Sequence, residues 1–203
     1  AAAVQRVAAS AHAVVVVGGT STLEEAAWFL HLTVAVPVPV VMVGAMRPAN
    51  GLSSDAGINL ASAVRAACDP GLAELGVVAV LDGDIHAARD VAKTSTYRLS
   101  SFTSGEFGPL GCVDAAGGVA IDRAPRRRGP VFDLDAIGEL PRVDVLFAHA
   151  GADGVAVEAL VKAGAAGLVV AAMAPGTCAP RQLAALEEAA ARGVAVAFSS
   201  RAG

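Results

Sequence analysis

At 203 residues, 55% of them hydrophobic and 17% charged, the chain is long enough to bury one large α/β core or two smaller ones, and its composition excludes disorder. A net charge of −4 offers no general attraction for nucleic acid, and no apolar run approaches the roughly 20 residues that span a bilayer. The chain as given shows no basic, hydrophobic leader, so a cytoplasmic location is expected, with the periplasm as the alternative should the natural start lie upstream.

In chain order, a helical lead-in "AAAVQRVAAS" precedes four valines at 14–17, which run into Gly18 and Gly19. A short β-branched run ending in Gly-Gly reads as a buried strand reaching a tight turn. Thr20 or Ser21 is then the expected cap of a helix over 22–33, with Glu24 and Glu25 in its first turn and Trp28 and Phe29 in the core. A second strand, "PVVMVGAM", spans 39–46, followed by the turn "RPANGLSSD" and a helix over 58–67. Residues 77–81 form a third buried strand; "IHAARDVAKTSTYRLSSF" is mixed and polar, and "FGPLGCVDAAGGVAIDRAP" has the Gly-rich turns of a β-hairpin. Strands alternating with helices predict an open, mostly parallel sheet with helices on both faces and ligands at the carboxyl ends of its strands. Backbone N–H groups and hydroxyls at 18–21 converge at such an end.

A segment rich in Pro, Gly and charge follows, and then the alternation restarts: "VDVLFAHAG" as strand, a helix over 155–163, "GLVVAAM" as strand, a helix over 181–191 and "GVAVAFSS" as the last strand. The expected organisation is an N-terminal α/β domain over 1–123, incomplete at its start, a linker over 124–138 and a smaller C-terminal α/β domain over 139–203. The basic run Arg126 to Arg128, between Pro125 and Pro130, reads as a solvated linker rather than a nucleic-acid site. Cys68, Cys112 and Cys178 have neither disulfide nor zinc spacing and read as small core residues. The four histidines fall in no metal-binding repeat, so no metal is expected, and a site inventory of hydroxyl, ammonium and backbone groups calls for no organic cofactor. Asp55, Asn59 and Arg89 are assigned to holding the 47–55 turn and the exit of the third strand through side-chain hydrogen bonds.

The ordered series "GGTSTLEEAAWFLHLTV", "PVVMVGAMRPANGLSSDAGINLASAV", "DGDIHAARDVAKTSTYRLSSF", "GPLG", "VDVLFAHAGADG", "GLVVAAMAPG" and "GVAVAFSSRAG" resembles the L-asparaginase family of amidohydrolases, from about Ala13 to Gly203. The resemblance implies a larger N-terminal and a smaller C-terminal α/β domain. It also implies hydrolysis of L-asparagine to L-aspartate and ammonia at an amino-acid site, in a homo-oligomer (dimer or tetramer). In that family the first turn reads His-Gly-Thr-Asp-Thr-Leu-Glu-Glu, and its Thr and Asp join a later Lys at the substrate. By that likeness Thr20 and Lys93 are the catalytic pair, Gly19, Ser21 and Ala45 line the substrate, and Thr177 is the position that reaches a neighbouring subunit.

The chemistry suits these residue types, because a threonine hydroxyl needs a neighbouring base and a lysine that has lost its proton supplies one. Gly44 and Ala45 are expected to offer a backbone carbonyl at a strand end where substrate approaches closely. Two positions depart from the family pattern: Gly18 stands for the His and Ser21 for the Asp. The family's opening "TGGTI"-like segment, which carries the primary nucleophile, does not occur in this sequence. The Gly18 and Ser21 departures favour the alternative function, a degenerate asparaginase-like protein that binds an amino acid or related small ligand with little turnover. A dinucleotide site is disfavoured, since no GxGxxG with a following acidic strand end occurs.

Overall fold

The structure is a computed structural model that describes residues 1–125, 129 and 131–202. The basic run Arg126 to Arg128, read as a solvated linker, lies outside the described residues. The chain divides into two compact units, Ala1–Ala136 and Ile137–Gly203. Among the described residues no helix is long and apolar enough to cross a membrane.

The first unit opens with helix α1 (Ala2–Ala8) and strand β1 (Val14–Val17), then α2 (Leu23–Thr33), β2 (Val40–Val43), α3 (Ala56–Ala67) and β3 (Val77–Leu81). The chain then turns back through β4 (Asp84–Ala87), β5 (Ala92–Lys93), β6 (Phe102–Thr103), β7 (Gly111–Val113) and β8 (Val119–Ile121). A six-stranded sheet runs in the order β1-β2-β3-β4-β7-β8, while β5 and β6 form a separate two-stranded ladder. The expected α/β architecture is present. The sheet is mixed where mostly parallel pairing was expected: β1 to β3 pair parallel, and β3 through β4 and β7 to β8 pair antiparallel. The reversal lies at Asp82 and Gly83, both with positive φ (52° and 83°), which make the tight turn that matches hairpin twist.

Period-two alternation explains why the parallel half needs helices on both faces. Val40, Met42, Val77, Ala79 and Leu81 point into one cluster with Leu23, Ala27 and Leu30 of α2. Val41, Val43, Val78 and Val80 point into another with Ala63, Ala66 and Ala67 of α3. The α2 stripe that meets the sheet is Leu23, Ala27, Leu30 and His31; Trp28 and Phe29, expected in the core, lie on the outer side, 36% and 41% exposed. Trp28 instead stacks on His31, ring centroids 5.4 Å apart. Cys68 caps α3 at the surface and Cys112 and Cys178 are half-buried, so the expectation of core cysteines fails most clearly at Cys68. Phe132 donates its N–H to the Leu32 carbonyl at 2.7 Å, which ties the stretch after residue 123 to the first unit. A short helix, α4 (Leu134–Ile137), follows.

The second unit contains β9 (Val143–Phe147), α5 (Val155–Lys162), β10 (Gly167–Ala172), α6 (Pro180–Ala191) and β11 (Ala195–Ser200). Its parallel sheet has the order β11-β10-β9. The strands advance in one direction, so right-handed crossovers put both helices on one face. There Leu146, Leu168, Val170 and Ala172 pack with Val157 of α5 and Leu186 and Ala189 of α6.

Candidate active site

The turn from β1 to α2 is built by close approach of two strand ends. Gly18 N–H donates to the Val43 carbonyl at 2.9 Å, carrying the β1–β2 pairing one residue past the strands. Gly44 then passes so near this turn that a Cβ there would stand 2.8 Å from the Gly18 carbonyl oxygen and 3.0 Å from both Thr20 Cγ2 and Leu23 Cδ1. Gly44→Ala is therefore expected to destabilise the fold by about 1–3 kcal/mol, since the nearest atom is backbone and does not swing aside. Chemical denaturation measures this, and an unchanged midpoint would contradict the close packing. Thr22, not Thr20 or Ser21, is the N-cap of α2, and no side chain among the described residues caps that helix. The expected capping role thus falls away, and the hydroxyls of Thr20 and Ser21 are not engaged with the helix end.

Of the residues singled out in the sequence, Thr20 and Lys93 are brought together: Lys93 Nζ donates to Thr20 Oγ1 at 2.9 Å across 73 positions of sequence. Lys93 is half-buried and its Nζ also lies 5.9 Å from the centre of the Phe102 ring, directly across the β5–β6 ladder. Gly19 and Ser21 are exposed beside Thr20 in the turn. An added Cβ at Gly19 would meet nothing within 4 Å among the described residues. Ala45 lines a cavity of about 320 Å³ with Val17, Gly18, Val43, Gly44 and Leu60. Thr177 belongs to the second unit, exposed in the tight loop after β10, where it exchanges backbone hydrogen bonds with Met173 at 2.8 and 2.9 Å. Among the described residues no group of three or more His, Cys, Asp and Glu side chains converges to hold a metal ion.

The carbonyl of Gly44, expected to face an incoming molecule, accepts from Asn59 Nδ2 at 3.0 Å, which leaves it a second lone pair. Asn59, 2% exposed, also donates to Asp55 Oδ2 at 2.9 Å and accepts from Asp82 N–H at 3.1 Å. Asp55 accepts from the N–H groups of Met46 and Arg47, both at 2.9 Å. These two side chains at the start of α3 hold both the turn after β2 and the exit of β3, as the sequence predicted for them. Burial pushes the Asp55 carboxyl upward, but the donors of Met46, Arg47 and Asn59 outweigh it and hold the pKa below the usual carboxylate value of 3.8. Arg89 sits instead on the wall of a groove of about 430 Å³ with Glu24, Glu25 and Trp28.

Glu24 has a role that its place in the first turn of α2 does not reveal. Its carboxylate accepts from the backbone N–H of Lys93, pinning the strand that carries the lysine to the helix that follows Thr20. The partners are 69 residues apart, and no spacing in the sequence links them.

Two family descriptions cover most of the chain: "Asparaginase, N-terminal" matches residues 1–127 and "Glutaminase/Asparaginase C-terminal domain" matches residues 142–203. The chain belongs to the asparaginase family. Among relatives, it is 40% identical over 190 residues to L-asparaginase 2 of Escherichia coli (strain K12), covering 92% of this chain and 54% of that protein. It is 38% identical over 190 residues to the probable periplasmic L-asparaginase of Haemophilus influenzae (strain ATCC 51907 / DSM 11121 / KW20 / Rd), with the same shares covered. A glutaminase-asparaginase of Pseudomonas fluorescens biotype A is 34% identical over 190 residues, 92% of this chain and 52% of the relative. The chain thus spans about half the length of these asparaginase-family relatives.

Proposed function

We propose that the protein is an asparaginase-type amidohydrolase that converts L-asparagine and water to L-aspartate and ammonia. The observation that carries this reading is the 2.9 Å contact between Lys93 Nζ and Thr20 Oγ1 at the carboxyl end of a parallel strand. A lysine amine that has given up its proton takes one from a hydroxyl or from a water held beside it, and returns it to the departing ammonia. Thr20 and Lys93 are the catalytic pair in this reading, with Gly19, Ser21 and Ala45 around the substrate. The family resemblance supports an oligomer in which Thr177 serves a neighbouring subunit's site. It also supports a cytoplasmic or periplasmic enzyme, in keeping with the H. influenzae relative named periplasmic.

The second reading, a binder of an amino acid with little turnover, is favoured by Ser21 and Gly18, which stand where the family pattern has Asp and His. A serine in place of a carboxylate replaces a charge-assisted contact to an α-ammonium with an ordinary hydrogen bond. Ser21→Asp in the full-length protein is therefore expected to raise ammonia release from asparagine about 10- to 100-fold, corresponding to roughly 1–3 kcal/mol. Thr20→Ala in that background should abolish the gain. No gain from Ser21→Asp, together with an unaltered wild-type rate in Thr20→Ala, would sink the hydrolase reading in favour of the binder.

A further inference from the structure

Lys93 rides on a two-stranded ladder that pairs with no strand of the six-stranded sheet among the described residues. Two strands alone are marginal in water, so the place of the ammonium relative to Thr20 depends on what ties the ladder down. One tie is Phe102, 5% exposed, whose ring enters the cluster under α2. A second is Glu24, which holds the Lys93 N–H. The third reaches the far end of β6. His86 of β4, 1% exposed, pairs with Ala79 and so faces the same side of the sheet as α2. Its Nδ1 lies 2.9 Å from the Oγ of Ser104, 3% exposed, the residue that directly follows β6.

An imidazole is an expensive choice for this position. Nε2 is buried with no hydrogen-bond partner among the described residues, and an aliphatic side chain of similar volume would fill the space without that penalty. What the imidazole adds is the bond to Ser104. Burial, then the neighbouring Arg123 guanidinium, push His86 down to about 4, so the ring is neutral near pH 7. Arg123 in turn pairs with Asp90 at 3.4 Å.

We infer that His86 is a positioning residue for the Lys93–Thr20 pair: its bond to Ser104 clamps the ladder to the central sheet and sets where the ammonium stands. The register transmits the clamp directly. Thr103, next to Ser104, lies opposite Ala92, and Phe102 lies opposite Lys93. At the other end Thr94 N–H donates to the Ser101 carbonyl at 2.7 Å, so the ladder moves as one piece. The inference rests on reading Thr20 and Lys93 as the reacting pair.

The test uses full-length protein with His86→Leu, which fills the space without the bond, Ser104→Ala, which removes it from the other side, and His86→Asn, whose amide sits where Nδ1 was. His86→Leu and Ser104→Ala are expected to lower kcat about 10- to 100-fold, as for a reacting group displaced by about 1 Å, with little change in KM. Both should also speed amide exchange over residues 92–103 and shift the pH at which Lys93 is acylated, read by peptide mass spectrometry. His86→Asn should restore most of each. Should His86→Leu not fold, Ser104→Ala carries the comparison. Unchanged exchange and an unmoved Lys93 acylation pH in the folded variants overturn the inference, as does faster exchange with an unaltered kcat in an active enzyme. An inactive wild type whose Lys93 acylation pH moves in Ser104→Ala supports the clamp while sinking the hydrolase reading.

Discussion

Replacing Lys93 by methionine in the full-length protein is expected to slow ammonia release from asparagine by about 10²- to 10⁴-fold, the range a positioned proton-transfer group contributes. Methionine keeps an unbranched stem over the Phe102 ring but offers Thr20 no exchangeable proton. The loss should therefore fall on kcat, with the fold and substrate binding retained. Thr20→Ala should produce a comparable loss, and the double variant should be little worse than the poorer single one, because two groups that act as a unit are strongly non-additive. Steady-state kinetics on the three variants decides this. Multiplying losses would mean that Thr20 and Lys93 serve separate steps, and a Lys93→Met enzyme at the wild-type rate would remove the lysine from the chemistry.

The largest expected effect on stability is that of Asp55→Ala. Three donors, the N–H groups of Met46 and Arg47 and the Nδ2 of Asn59, aim at this one carboxylate, which is 6% exposed. Hydrogen bonds to a charged group are stronger than neutral ones, and truncation leaves the donors facing a gap. A loss of roughly 3–4 kcal/mol is expected, large for a single substitution. The sign with pH follows from the depressed carboxyl. The stabilisation is complete above the unfolded value of 3.8 and is lost as pH falls through the lower folded value. Wild type and Asp55→Ala should therefore differ most near neutral pH and converge in strong acid, as urea unfolding at several pH values would read. A gap that stays constant down to the lowest pH would mean that the charge contributes nothing.

How much of this was legible beforehand varies by element for physical reasons. Strands β1 and β3 fall on the expected runs 14–17 and 77–81 because a β-branched run between turn residues declares itself without reference to a partner. The β7–β8 hairpin was legible from its glycines. The turn at Asp82 and Gly83 has the composition of a two-residue hairpin. Its return strand, "DIHA", hid it, because a polar aspartate and a histidine interrupt the apolar pattern. In α2 the apolar residues run round most of the helix, so periodicity does not choose between a stripe containing Trp28 and Phe29 and the one containing Leu23, Ala27 and Leu30. The sheet chose the second, where small and branched side chains fit flush against β2 and β3.

By itself the sequence determined the α/β class, the order of strands and helices in the parallel half, and the candidates Thr20 and Lys93, all of which depend on local pattern and on motif order. Only the tertiary structure decided the 2.9 Å geometry at which these two side chains meet, that Glu24 and the His86–Ser104 pair hold the lysine's ladder, and that Asn59 donates to the Gly44 carbonyl. Each of these contacts joins residues between 15 and 73 positions apart. Hydrogen-bond geometry at that separation is set by how the sheet, α2 and α3 pack, and a one-dimensional pattern has no term for it.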